Sequence, residues 1–193
     1  MAARDHNAAA ATAPHAATDG AERRSRLRQY QVQLLDRMQA ARSGQAGGNK
    51  ELGVQLGQGR CLLDLTQVGE IVPAAGISAV PLTQDWYLGL ANVRGSLTGV
   101  IDLARYRGEP PSPIGADSRI VTFAPSLAFN CAVLVTRVLG LRNLTEMEVD
   151  DAALAVEAPA WSEQRFRDRE SLGWTRIDLS LLVQETRFLH VGF

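Results

Sequence analysis

The sequence predicts a mainly β chain with an amphipathic helix ahead of the sheet region and a short helix near its end. Three observations carry this expectation. From residue 51 to residue 141, short apolar runs recur between Gly, Pro, Asn and Asp turn signals, the rhythm of small barrels or sandwiches. Residues 23–43 instead repeat Leu27, Tyr30, Leu34, Met38 and Ala41 at intervals of three and four, which places them on one helical face. Asp178 stands just before Leu179, Leu182 and Val183, where its carboxylate can cap the first turn of a helix.

Taken in order, residues 1–22 are Ala-rich with no large apolar side chain after Met1, so they read as a disordered tail in which His6 and His15 are solvated. The helix at 23–43 has three available roles: capping the chain's own core, docking on a partner, or lying on a membrane surface. Residues 44–50 form a Gly-rich linker, and residues 51–193 form the folded region. There Leu52, Val54 and Leu56 alternate with small or polar residues, Gly57-Gln58-Gly59 turns the chain, and 61–65 returns, which predicts a hairpin. Residues 67–72 continue the sheet. Two apolar runs, 87–91 and 97–103, flank Asn92-Val93-Arg94-Gly95, whose Asn and Gly suit a turn or bulge.

Pro110, Pro111 and Pro113 cannot donate to a ladder, so 108–117 reads as a loop dividing two subdomains. Strands follow at 119–123 and 130–135 around a turn near Pro125, and 138–141 extends the second or starts a third. Glu146, Glu148, Asp150 and Asp151 lack the Gly and spacing of a calcium loop, so they read as a solvated edge or surface loop. Residues 163–170 read as a loop and 173–177 as the last strand, while 188–193 adds an edge strand or lies loose.

Composition narrows the function. The 21 acidic and 20 basic residues nearly cancel, so no overall field recruits nucleic acid or anionic lipid. Cys61 and Cys131 lie in separate apolar runs and are expected to be free buried thiols, which fits a cytoplasmic setting. No apolar run approaches the roughly 20 residues of a membrane span, and Asp5 and Asn7 stand where a signal peptide needs positive charge. Direct membrane insertion and export are therefore not expected.

Catalysis is not expected either. His6, His15 and His190 lie toward the ends, and Gly95-Ser96-Leu97-Thr98-Gly99 misses the spacing of a nucleophile elbow. Gly57-x-Gly59 is followed by Leu62 rather than the third glycine of a dinucleotide fingerprint. No catalytic set, cofactor or metal site is expected. A small β-barrel that binds nucleic acid is the rival class, opposed by sparse aromatics and by arginines interleaved with acids.

Arg94 is the least generic residue, because a guanidinium between apolar strands must find an anion or reach water. Glu70, within Val68-Gly69-Glu70-Ile71-Val72, poses the mirror-image problem. An ion pair between Glu70 and Arg94 resolves both, as does each side chain pointing outward on its own strand.

The run from 80 to 103 carries a resemblance. Val80-Pro81, Trp86, Gly89, Asn92-Val93-Arg94-Gly95 and the strand ending Ile101-Asp102-Leu103 resemble, in that order, the CheW domain of bacterial chemosensory arrays. Within that family, Trp86, Asn92 to Gly95, and Asp102-Leu103 are most similar to the PilI-type adaptors of twitching motility. Residues 133–141 resemble the strand that in the family reads Val-Asp-x-Val, with Thr136 in place of the Asp, and 174–182 resemble its closing strand and helix start. The resemblance covers roughly 51–183.

It implies a pair of five-stranded SH3-like barrels with an apolar groove between them, acting as a non-catalytic adaptor. The implied partners are the regulatory domain of a CheA-type histidine kinase and the hairpin tip of a methyl-accepting chemoreceptor, in pilus control or, alternatively, flagellar chemotaxis. The implied location is cytoplasmic, at the inner membrane or cell pole through receptor arrays. By carry-over, Val68, Glu70, Ile71, Asn92, Arg94 and Gly95 belong to the partner-binding site or its structural core, with turn geometry alone as the other role open to Asn92 and Gly95.

Overall fold

The computed structural model describes residues 50–150, 158–162 and 164–193. The tail, the amphipathic helix and the linker up to residue 49 lie outside the described residues; Lys50, read as the last linker residue, already opens the first strand.

Among the described residues, eleven strands form two sheets. β1 (Lys50–Leu56) and β2 (Gly59–Asp64) are the expected hairpin, with Val54 opposite Cys61. The chain then crosses to the second sheet for β3 (Val68–Pro73), β4 (Tyr87–Val93), β5 (Ser96–Ile101), a one-turn helix α1 (Leu103–Tyr106), β6 (Arg119–Phe123) and β7 (Cys131–Val135). It returns for β8 (Arg137–Asn143), β9 (Glu148–Val149), β10 (Arg165–Arg167) and β11 (Gly173–Ile177), followed by α2 (Leu179–Leu182) and α3 (Thr186–Leu189).

The sheet orders are β3-β6-β7-β5-β4 and β8-β1-β2-β11-β10-β9. The first five strands of each order pair in the same pattern: antiparallel, antiparallel, parallel, antiparallel. In each unit one strand of the parallel pair, β5 or β11, closes on the same tripeptide, Ile101-Asp102-Leu103 or Ile177-Asp178-Leu179, and runs into a short helix. The chain is thus two copies of one small β unit, and the two-residue β9 is an addition that gives the second copy its sixth strand.

Alternation places the core. Leu52, Val54, Leu56, Cys61 and Leu63 of one sheet and Ile101, Val121, Cys131, Val133 and Val135 of the other join one apolar cluster, with Trp86, Tyr106, Trp161 and Phe188. A smaller cluster, Ala91, Val100, Ile120, Ala132 and Leu134, fills the opposite face of the five-stranded sheet. β7 is therefore buried on both faces, which explains its unbroken apolar run. Cys61 and Cys131 are free and buried, and burial pushes their thiols up to about 11 and about 12, so neither is a nucleophile at neutral pH.

The two caps are built alike and tied differently. The Asp102 carboxylate accepts from Ala104 N at 3.2 Å, Arg105 N at 3.3 Å, Ser112 N at 2.7 Å and Ser112 Oγ at 2.8 Å, so one buried side chain starts α1 and pins the proline-rich loop. Asp178 accepts from Ser180 N, Leu181 N and the Gln67 amide at 2.9 Å. Burial pushes its carboxyl up, but the Ser180 hydroxyl, the Gln67 amide and the two backbone N–H groups hold it below the ordinary aspartate range. Gln67 also accepts from Leu179 N at 2.7 Å, and its carbonyl accepts from Ala124 N at 2.8 Å, so it links the α2 cap to the end of β6 in the other sheet.

Several local expectations are corrected. The proline-rich loop does not divide the subdomains, since β5 and β6 on either side of it belong to one sheet. Of the two readings of residues 138–141, the start of a further strand is the one observed: Thr136 turns the chain, and β8 pairs with β1 in the other sheet rather than extending β7. Residues 165–167, expected as loop, form β10 on the β11 edge, and Leu103 leaves the strand to begin α1. The end forms α3, which buries Phe188, and Gly192 then makes an isolated bridge to Thr83. Of the acidic residues, Glu146 ends a 3-10 turn and Glu148 opens the edge strand β9.

Asp102→Ala removes a helix cap and leaves the Ser112 donors unpaired, and is expected to lower the unfolding free energy by about 2–4 kcal/mol in urea titration. Asp102→Asn, which keeps one acceptor, is expected to cost less.

Candidate functional site

β4 and β5 are joined by a two-residue turn, with Val93 opposite Ser96. Its central residues, Arg94 and Gly95, have φ of 49° and 88°, the positive pair of a type I′ hairpin turn. Gly95 takes this conformation without penalty, whereas an arginine there has its Cβ crowded against the backbone at a cost of about 1 kcal/mol. Asn92 Oδ1 accepts from Gly95 N at 2.7 Å and closes the turn.

β3 brings the acid. A register shift between Val68 and Ile71 disturbs the alternation, so Val68 packs against the large shared core while Val72 packs against the smaller cluster. Glu70 N donates to Thr122 Oγ1 at 2.7 Å, and the Glu70 side chain is left at the surface. There Arg94 Nε lies 2.7 Å from Glu70 Oε2, with the two side chains 78% and 41% exposed. Arg94 reaches water, while Glu70 keeps the oxygen facing Arg94 shielded and the rest of its side chain part-exposed, so the pair lies at the surface rather than in the core.

The six residues singled out in the sequence do not form one cluster. Glu70 and Arg94 touch, Ile71 is exposed on the same strand, Asn92 and Gly95 shape the turn, and Val68 faces inward.

Leu97 was passed over as part of an apolar strand. It stands opposite Asn92 and is 61% exposed. It also borders an apolar cavity of about 230 Å³ shared with Trp86, Leu90, Phe129 and Phe188. Phase gave no clue, because Leu97 shares its face with the buried Gly99 and Ile101; its exposure comes from its place at the hairpin end, next to the turn. Phe129 and Phe188 lie 5.6 Å apart between ring centroids although 59 residues apart in sequence, so no local signal pairs them.

The site offers surfaces and charges rather than a reactive group. Among the described residues, no group of three His, Cys, Asp or Glu side chains could hold a metal ion, and no helix is long and apolar enough to cross a membrane. Tyr87, beside the cavity, has its hydroxyl pushed up by burial, so it stays protonated.

The model of the CheW-like domain matches residues 51–186, most of the chain. The chain belongs to the CheW-like domain family, a family of scaffold and adaptor proteins. Protein PilI of Pseudomonas aeruginosa is 26% identical over 92 residues, 48% of this chain, and the match spans 51%, about half, of PilI's own length. The crystal structure of the scaffolding protein TtCheW from Thermoanaerobacter tengcongensis superposes with a TM-score of 0.60 at 23% identity, covering 72% of this chain and 94% of that one. The CheW-like fold implied by residues 80–103 is the fold observed. Where the family strand has Asp, Thr136 N and Oγ1 both donate to Gln55 O, at 2.9 and 3.1 Å, and hold β8 against β1.

Because the Glu70–Arg94 pair is exposed and Arg94 occupies a conformation that favours Asn, strain relief and the lost pair nearly offset each other. Arg94→Asn is expected to stay within about 1 kcal/mol of the parent in thermal melts. A loss above about 2 kcal/mol would show that the pair is structural.

Proposed function

We propose that this chain is an adaptor that couples the hairpin tip of a methyl-accepting chemoreceptor to the regulatory domain of a CheA-type histidine kinase in the cytoplasm, in the control of type IV pili. Family membership supports the scaffold role, and the likeness to PilI supports the pilus branch. The observation that carries the site is Arg94: a left-handed, largely exposed arginine at a turn tip, oriented by Glu70 and close in sequence to the exposed Leu97. Retained backbone strain at an exposed charged residue is better accounted for by contact with another molecule than by folding.

In this reading Arg94, Glu70 and Ile71 meet the partner, while Val68, Asn92 and Gly95 hold the surface in shape. Leu97 and its cavity add an apolar anchor beside the charges. The adaptor contributes no chemistry. It raises the effective concentration of receptor and kinase for one another and transmits a receptor's state through differential contacts.

Affinity capture of the tagged chain from its native cells is expected to recover a histidine kinase and a methyl-accepting receptor encoded beside pilus genes, with Arg94→Asn depleting at least one of them. Flagellar partners in their place would retain the adaptor and move the pathway. Capture of nucleic acid or a metabolic complex without a kinase would remove the signalling role. Undiminished capture of both partners by Arg94→Asn would remove the site.

A further inference from the structure

Among the described residues, two acidic side chains are almost fully buried, Asp102 at 1% exposed and Glu51 at 3%. They are satisfied very differently. The Asp102 carboxylate accepts from four donors and uses both of its oxygens. Glu51 Oε1 accepts from Arg176 Nε at 2.5 Å, whereas Glu51 Oε2 is enclosed and has no hydrogen-bond partner. An ionised carboxylate removed from water needs donors on both oxygens, and an uncharged carboxyl tolerates the same surroundings at far lower cost.

Alternation puts Glu51 in this position: Leu52, Val54 and Leu56 enter the large core, so Glu51 lies on the other face of β1. The one guanidinium that reaches it is shared. Arg176 of β11 gives Glu51 its Nε and turns its other nitrogens to Asp64 Oδ2 of β2, at 3.4 Å, and to Gln164 Oε1, at 3.1 Å. Asp178, the cap of α2, brings a third carboxylate. Arg142 of β8 stands opposite Glu51 in register, but its guanidinium lies over the Trp174 ring instead, 5.0 Å from the centroid. Lys50 is exposed one position earlier, on the other phase of the strand. Burial pushes the Glu51 carboxyl above the ordinary glutamate range, Arg176 draws it back, and Asp64 and Asp178 push it up again.

From this geometry we infer that Glu51 is a pH-sensitive element of the fold: with a proton on its carboxyl the six-stranded sheet is at its most stable, and loss of that proton leaves a buried, half-paired charge among β1, β2 and β11. The folded chain holds the proton to higher pH than the unfolded chain. The Glu51 contribution is therefore fully present at acid pH, is lost as pH rises through the raised ionisation, and is constant beyond it. Asp178 works in the opposite sense, since its lowered carboxyl contributes above the ordinary aspartate range and that contribution is lost as pH falls. The pH dependence of the whole chain thus mixes both, and Glu51 has to be read as a difference. The element lies in the other sheet from the Glu70–Arg94 pair, so it stands whether or not that pair meets a partner.

The test compares urea unfolding of the full chain and of Glu51→Gln, which copies the uncharged carboxyl, between about pH 4 and about pH 8. The two are expected to be most alike at the acid end. As pH rises, the unfolding constant of Glu51→Gln is expected to fall severalfold relative to the parent. In the parent chain itself, the Glu51 side-chain carboxyl carbon, followed by NMR, is expected to titrate above the ordinary glutamate range, a readout that does not depend on the variant folding. A difference between the two chains that stays constant with pH, a Glu51→Gln chain that loses ground as pH rises, or a Glu51 titration at or below the ordinary range would each overturn the inference.

Discussion

The apolar seam between the two sheets is the constraint on which the rest of the molecule depends. The larger cluster draws on both units: Val54, Cys61 and Leu63 from one sheet, Val121, Val133 and Val135 from the other. Trp86, Tyr106 and Phe188 fill the same seam, with Tyr106 in edge contact with both of the other rings. Tyr106 also donates its hydroxyl to Glu185 at 2.7 Å, and burial with that bond pushes its ionisation upward, so a long aromatic side chain lies in an apolar seam without an orphaned hydroxyl. Gln67 adds the directional link, because its single amide satisfies the cap of α2 while its backbone pairs with the end of β6.

This division of labour separates stability from recognition. What holds the fold is buried and apolar, apart from the two aspartate caps and a polar cluster at Glu51, whose carboxyl is raised by burial and drawn back by the adjoining Arg176. Two features lie apart from this core, the β4–β5 hairpin tip and the Trp174–Arg142 stack of the six-stranded sheet. Both features keep an arginine in a held position, Arg94 through its turn and Glu70, Arg142 through the face of Trp174. An adaptor needs surfaces of this kind, rigid enough to impose a geometry and chemically inert.

Much of this was legible in the residues, for identifiable reasons. The β1–β2 hairpin, β6, β7, β11 and the Asp178 cap follow from alternation and local turn chemistry, which act over a few residues. α1 was hidden because Ile101-Asp102-Leu103 reads as continuous apolar strand until Asp102 is seen to accept from the two N–H groups beyond it. The identical tripeptide at 177–179 was the available clue, and it also marks the internal repeat. β10 was hidden because Arg165-Phe166-Arg167 is too short for its alternation to declare a strand, and it acquires its state from pairing with β11. Glu70 and Arg94 were marked as a pair open to two outcomes, and the bulge in β3 beside Glu70 is signalled only by Gly69, an isolated glycine inside a strand pattern. The Trp174–Arg142 stack joins residues 32 positions apart across the sheet, and sequence spacing carries no trace of it.

If the seam unites the two units, they must open together. Native-state hydrogen exchange under low denaturant measures this at Leu63 in β2 and Val133 in β7, one buried amide in each sheet. The account predicts a single opening free energy for both, equal to that of global unfolding. Exchange in two separate steps, with one sheet losing protection while the other keeps it, would show two independent barrels and contradict the shared seam.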